Sequence, residues 1–214
     1  MKIFMDTANL DELKKSVEYG VVDGVTTNPS LIARENLGFI PLIKKITTLI
    51  PGPVSVELTA LDFKGMMAQA VEYAGIAENV VIKVPINLEG LKVVKKLSEM
   101  KIRTNVTLIF SSSQALLAAK AGASFVSPFV GRIDDISGDG MDLVEDIANI
   151  FDIYSIPTEI IVASVRHPLH FLESARIGAD IATIPFSTLS KLLNHPLTDA
   201  GMEKFLKDWE KVKN

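Results

Sequence analysis

Residues 54–86 read VSVELTALDFKGMMAQAVEYAGIAENVVIKVPI, and the order of patterns within them decides the fold. Positions 54–58 alternate valine and leucine with serine and glutamate, which is strand periodicity. FKGMMAQAVEYAG at 63–75 has helical periodicity, and VVIKV at 80–84 is a second β-branched run. Working outward, comparable apolar runs lie at 3–6, 24–27, 102–106, 124–127, 159–163 and 181–184, which makes eight. Helical stretches at 10–20, 88–100, 111–122, 140–154 and 167–178 fall between most of them. The first has Asn9 and Glu12 at capping-box spacing and Gly20 as its C-terminal stop.

Strand–helix alternation repeated eight times predicts a parallel sheet closed into a (β/α)8 TIM barrel. The expected organisation is α/β, a single barrel domain over 1–214 with 198–214 as a C-terminal helix. An open doubly wound sheet is the competing reading. It usually carries a glycine-rich phosphate loop after its first strand, and DTANLDEL at 6–13 has no glycine. No linker, low-complexity segment or repeat divides the chain.

The composition sets limits. Of 214 residues, 48% are hydrophobic and 22% charged, enough for a packed core and unlike a disordered chain. Acidic residues outnumber basic ones, 26 to 22, and no basic stripe is present, so nucleic acid is not an expected partner. The absence of cysteine excludes disulfides, thiolate metal sites and a cysteine nucleophile, and fits a reducing compartment. Asp6 interrupts the apolar start, against a signal peptide, and no apolar run reaches membrane-spanning length. A soluble, cytoplasmic protein is expected, with no membrane partner.

Polar residues interrupt the strands in a pattern. Alternate side chains of a barrel strand face the axis and the helices. Val54, Val56 and Leu58 form one set, Ser55 and Glu57 the other; Ile82 and Val84 flank Lys83, which shares parity with Val81; Asp6 goes with Phe4. Thr26 pairs with Asn28, Asn105 with Thr107 and Ser164 with Val162, while Ser127 ends the sixth strand. These residues cluster at carboxyl ends of strands, where barrel enzymes assemble their sites.

Lys83 inside VVIKVPI carries the sharpest signal, since a lysine there must be paired, exposed or neutral. One reading has it snorkelling to solvent. The other makes it a Schiff-base nucleophile, because burial and nearby cations favour the neutral amine that attacks a carbonyl. Convergence of Asp6, Glu57 and the polar strand ends on one mouth favours the second. Each carboxylate is alternatively a structural partner of Lys83, yet two acids around an amine supply the proton transfers that imine chemistry needs. Thr107 suits a water-holding position between them, and Asn28 and Asn105 suit substrate hydroxyls. Arg132, in FVGRIDD, and Arg166, in ASVRHP, form with Ser164 a candidate phosphate clamp, the alternative for Arg132 being a surface pair with Asp134 or Asp135.

Other features carry less. His167 and His170 lack a third ligand nearby in sequence, so no metal site is expected. DDISGDGMD at 134–142 lacks EF-hand spacing. Met66, Met67 and Met202 are expected as core fillers. Phe205 and Trp209 form an apolar edge on the last helix, placed either to close the barrel or to bury against another subunit.

FMDTAN, GVTTNPSLIA, VIKVP followed by EGL, and NVTLIFSSSQALLAAKAGASFVSPFVGRIDD together resemble the transaldolase family, in particular its short group that includes the fructose-6-phosphate aldolases. The likeness spans essentially the whole chain. It implies a metal-free, cofactor-free class I barrel with Lys83 as Schiff-base lysine and Asp6 as the base for the C4 hydroxyl. It further implies Glu57 with a Thr107-held water for imine formation and hydrolysis, Asn28 and Asn105 as hydroxyl and imine-side contacts, and Ser127 lining the pocket. Arg132, Ser164 and Arg166 would bind phosphate, and rings of five or ten subunits would form. Where the family commonly has threonine two positions past KVP, this chain has Asn87, which can still cap the next helix.

Aldolase members of the family typically carry glutamine at the Glu57 position and tyrosine at the Phe129 position. A carboxylate and a phenylalanine here resemble the transaldolases. The resemblance therefore implies dihydroxyacetone transfer from sedoheptulose 7-phosphate or fructose 6-phosphate to an aldose phosphate, in the pentose phosphate pathway. Fructose-6-phosphate cleavage is the alternative, and a non-catalytic sugar-phosphate-binding protein is a third reading.

Overall fold

The structure is a computed structural model that describes residues 1–212; Lys213 and Asn214, the end of the expected 198–214 helix, lie outside the described residues. Eight parallel strands close in sequence order: β1 (Lys2–Asp6), β2 (Gly24–Thr26), β3 (Val54–Glu57), β4 (Val80–Pro85), β5 (Thr104–Ile109), β6 (Phe125–Pro128), β7 (Glu159–Val162) and β8 (Ile181–Ile184). Because β1 pairs with both β2 and β8, no edge remains, and the open-sheet reading is excluded.

The helices that follow them are α1 (Leu10–Glu18), α2 (Pro29–Ile32), α3 (Phe39–Leu49), α4 (Phe63–Ala74), α5 (Leu88–Glu99), α6 (Ser112–Lys120), α7 (Val130–Asp134), α8 (Gly140–Ile153), α9 (Pro168–Ile177), α10 (Phe186–Leu193) and α11 (Pro196–Glu210). Asn87 caps α5, its side chain accepting the Gly90 N–H at 2.7 Å. Asn9 caps α1 as expected, but the reciprocal half of the capping box is missing, because Glu12 instead accepts the Thr7 hydroxyl at 2.6 Å. The fifth strand starts two residues later than position 102: Lys101 has a left-handed backbone and Ile102 N–H bonds back to Leu97 O, so Ile102 belongs to the turn out of α5. Periodicity alone misses α3, whose Pro41 stands in the first turn, where proline is tolerated.

Met5, Val25, Val54, Val56, Ile82, Val84, Val126, Ile160 and Val162 face the helices and join Leu13, Ile46, Val93, Leu97 and Val144 in the main core. The opposite parity fills the barrel. Phe4, Val81, Phe125, Ile161 and Ile181 make a separate buried plug. Two residues further along the same strands stand Asp6, Lys83, Ser127, Ala163 and Thr183, so the apolar plug is the floor under a polar layer at the carboxyl ends. Of the expected core methionines, Met66 is buried and Met67 packs against the core, but Met202 is exposed on α11.

Gly24 makes room for the plug. A Cβ there would lie 2.6 Å from a ring carbon of Phe4 and 2.7 Å from Pro53 O. Gly24→Val should therefore overpack the floor and lower stability by about 2 kcal/mol, read as a fall in the denaturation midpoint; an unchanged midpoint would refute this packing account.

Candidate active site

The carboxyl ends of the strands surround a cavity of about 470 Å³. At its base lies Lys83, only 3% exposed, which removes the reading of a lysine snorkelling to solvent. Registry places Glu57 directly opposite Lys83 across the β3–β4 ladder, and Nζ lies 2.9 Å from Glu57 Oε2. The amine also donates to Thr27 O at 3.0 Å. Nζ is thus held on two sides, with the Phe129 ring centroid 5.9 Å away.

Asp6 comes from β1, across β2 from Glu57. Its Oδ1 accepts from Thr26 Oγ1 at 2.9 Å, and Thr26 shares a 2.6 Å hydroxyl contact with Thr183. Burial pushes the Asp6 carboxyl above its ordinary range; Lys83 and the Thr26 hydrogen bond pull it down, Glu57 pushes it up, and desolvation prevails.

Asn28, Ser127, Phe129, Arg132, Ser164 and Arg166 also line the cavity, so most of the expected site converges. Asn105 and Thr107 lie beneath the lining, fully buried. Asn105 donates to Ser55 Oγ at 3.1 Å and accepts from Ser127 Oγ at 2.8 Å, so its amide is committed to neighbouring strands. Thr107 Oγ1 has no partner among the described residues. Arg132 has neither Asp134 nor Asp135 as an ion-pair partner among the described residues; its guanidinium sits 5.1 Å over the Phe129 ring, and Asp135 pairs with Arg166 at 2.8 Å instead.

Ser164 reaches the cavity by a route that strand parity misses. Val162 belongs to the outer core, so alternation would send Ser164 outward. The chain leaves β7 at Ala163, and Ser164 adopts φ 59°, turning into the mouth. Leu108 does likewise at φ 60°, at a register shift between Val106 and Ile109 that brings Leu108 into the lining. Sequence reasoning missed Leu108, Ser30, Arg34 and Thr183. Only Thr183 had a usable signal, its shared parity with Ile181.

A family model described as transaldolase/fructose-6-phosphate aldolase matches residues 3–214. The chain belongs to this family. A protein of Thermodesulfovibrio yellowstonii named "probable transaldolase" is 60% identical over 213 residues, covering 100% of both chains. One of the same name from Desulfotalea psychrophila is 64% identical over 211 residues, covering 99% of each. Among solved structures, a Pediococcus acidilactici protein described as a lactate oxidase superposes with a TM-score of 0.61 at 16% identity, over 86% of this chain and 62% of that one. At that identity the likeness concerns the barrel alone. The family and these relatives make this a transaldolase-type enzyme, and among the described residues no helix is long and apolar enough to cross a membrane.

In this family member desolvation of the half-buried Asp6 has a cost with a definite sign. An Asp6 carboxyl that holds its proton more tightly when folded loses stability as pH rises from the unfolded value of 3.8 through the raised folded value. Asp6→Asn should therefore raise Tm by a few degrees at pH 7, with the gain shrinking as pH falls toward 4. Thermal melts across that range decide it, and a lower Tm at pH 7 would contradict the assignment.

Proposed function

We propose that this protein is a transaldolase that moves a dihydroxyacetone unit from sedoheptulose 7-phosphate or fructose 6-phosphate to an aldose phosphate through a Schiff base on Lys83. The observation that carries this reading is the buried Lys83–Glu57 contact at the base of a cavity also lined by Asp6, Arg132 and Arg166. Glu57 is positioned to take the proton that frees the amine for attack on the ketose C2 carbonyl. The carbinolamine then loses water to give the imine, for which Glu57 returns a proton; the family resemblance assigns that water to Thr107, whose unpartnered Oγ1 lies buried beneath the lining.

Asp6 removes the C4 hydroxyl proton as the C3–C4 bond breaks. The aldose leaves as its aldehyde, and the electron pair is stored as an enamine on Lys83. A desolvated carboxylate is a stronger base than one in water, which suits Asp6 to this step. The enamine attacks the acceptor aldehyde, Asp6 returns the proton to the new alkoxide, and hydrolysis frees Lys83. Arg132, Ser164 and Arg166 bind the phosphate at the rim. Phe129 presents an apolar ring near the amine, which supports retention of the three-carbon fragment for an acceptor over its release to water.

Borohydride reduction with fructose 6-phosphate should attach a three-carbon adduct to Lys83, and Lys83→Met should abolish both adduct and turnover. Turnover should require an acceptor such as erythrose 4-phosphate. Release of free dihydroxyacetone at full rate without acceptor would identify an aldolase, and absence of any adduct would leave a binding protein. Glu57→Gln should slow transfer about a hundredfold by removing the acid/base group.

We also propose a homo-oligomer, a pentamer or decamer. The Phe205–Trp209 edge does not close the barrel: α11 buries none of its residues, and the two aromatics are 73% and 57% exposed beside Leu197, Met202 and Leu206. An apolar face of this kind calls for a partner. Phe205→Glu combined with Trp209→Glu should reduce the mass found by light scattering, and an unchanged mass would remove α11 from the interface.

A further inference from the structure

Helix α7 and the β7–α9 loop carry the candidate phosphate ligands, and one buried imidazole touches both. His170, 4% exposed, sits in the first turn of α9. Its Nε2 lies 2.7 Å from Oδ2 of Asp134, two residues beyond Arg132 on α7, and its Nδ1 accepts the backbone N–H of Arg166 at 3.3 Å. A ring nitrogen that accepts an N–H carries no proton, so Nε2 carries it and donates to Asp134. The other oxygen of Asp134 accepts the Gly140 N–H at 2.9 Å, which fixes the carboxylate against the start of α8.

The same two segments meet again at Gly131. Its N–H donates to Ser164 O at 3.2 Å, and a Cβ there would lie 2.3 Å from Ser164 O and 2.5 Å from Arg166 Nε. No side chain separates α7 from the β7–α9 loop at this point, and the stem of Arg166 lies against the glycine.

We propose that His170 is a positioning residue that locks the segment bearing Arg132 to the loop bearing Ser164 and Arg166, so that they meet one phosphate group as a preformed clamp. This rests on the sugar-phosphate reading above and adds how its anion site is held. A clamp ordered before binding loses less side-chain and loop freedom when the ligand arrives, so affinity for the phosphate end depends on the brace.

Asp134, His167 and His170 present ligand atoms within 4.8 Å of one another, so a metal is the rival explanation for the cluster. The tautomer disfavours it. A cation on Nε2 would move the proton to Nδ1, facing the Arg166 N–H and leaving that donor unpaired. Burial, then the neighbouring His167, push the ring below the usual imidazole range, while Asp134 and Glu173 pull it up, so the neutral form that the brace requires is favoured.

The test compares His170→Leu, which breaks both contacts, with His170→Asn, whose Oδ1 can still accept from Arg166. For His170→Leu, KM for fructose 6-phosphate and the dissociation constant of inorganic phosphate measured by calorimetry should both rise about tenfold. The value of kcat should stay within about threefold, as should borohydride trapping at saturating dihydroxyacetone. His170→Asn should recover part of the loss. If the leucine variant does not fold, the asparagine variant should show a several-fold rise in both constants by itself.

A fall in kcat with KM and phosphate binding unchanged would overturn the proposal, and so would stoichiometric zinc binding by the wild-type protein that His170→Asn abolishes. Phosphate binding is read without turnover. Failure of the wild type to trap at Lys83 would thus sink the transaldolase reading, while unaltered phosphate binding in the variants would sink only the brace.

Discussion

The contact between Lys83 and Glu57 is the constraint around which the rest of the barrel is arranged. A lysine ammonium taken out of water is strongly unfavourable unless an opposite charge and further hydrogen bonds compensate it. The β3–β4 ladder supplies the charge by register, placing Glu57 opposite Lys83, and Thr27 O supplies a second acceptor. The pair is held by main-chain geometry on two strands, not by flexible loops. That is why it can be both buried and accurately placed.

The layers follow from this. Below the pair, Phe4, Val81, Phe125, Ile161 and Ile181 exclude water from the barrel interior and leave the cavity open only at its mouth. Around it, the Thr26–Thr183 contact and the Ser55–Asn105–Ser127 chain tie neighbouring inward positions with neutral hydrogen bonds. Neutral donors and acceptors let two carboxylates share the site with one amine without a competing fixed cation at the floor. Arg132 and Arg166 stand at the rim, on segments after β6 and β7, where both line the cavity and Arg166 also pairs with Asp135.

Chemistry and recognition therefore rest on different kinds of structure. Lys83, Glu57 and Asp6, the candidate proton-transfer groups, ride on strands, whose register fixes them to within a hydrogen bond. The candidate phosphate ligands ride on connecting segments, which meet at the Gly131 approach, the left-handed Ser164 and the His170 contacts. The barrel shared with a protein of 16% identity shows how little the scaffold alone says about what is bound.

The sequence by itself determined the eightfold strand–helix order, the two faces of most strands and the placement of Lys83, Glu57 and Asp6 at the carboxyl ends of their strands, because side chains alternate with period two and a charge in an apolar strand is costly wherever it lies. The TTNPSLI and SPFVGRIDD motifs likewise carried the family, which the match over 3–214 bears out. Only the tertiary structure decided which carboxylate touches the amine, since register between strands is a property of the closed sheet. It also decided that Ser164 and Leu108 enter the cavity through positive φ angles, against the parity expected for Ser164, and that Asn105 is committed beneath it. The convergence of Asp134 with His170 across 36 residues belongs to the same class: contacts between distant segments depend on how loops close over a finished barrel, and local periodicity carries no record of that closure.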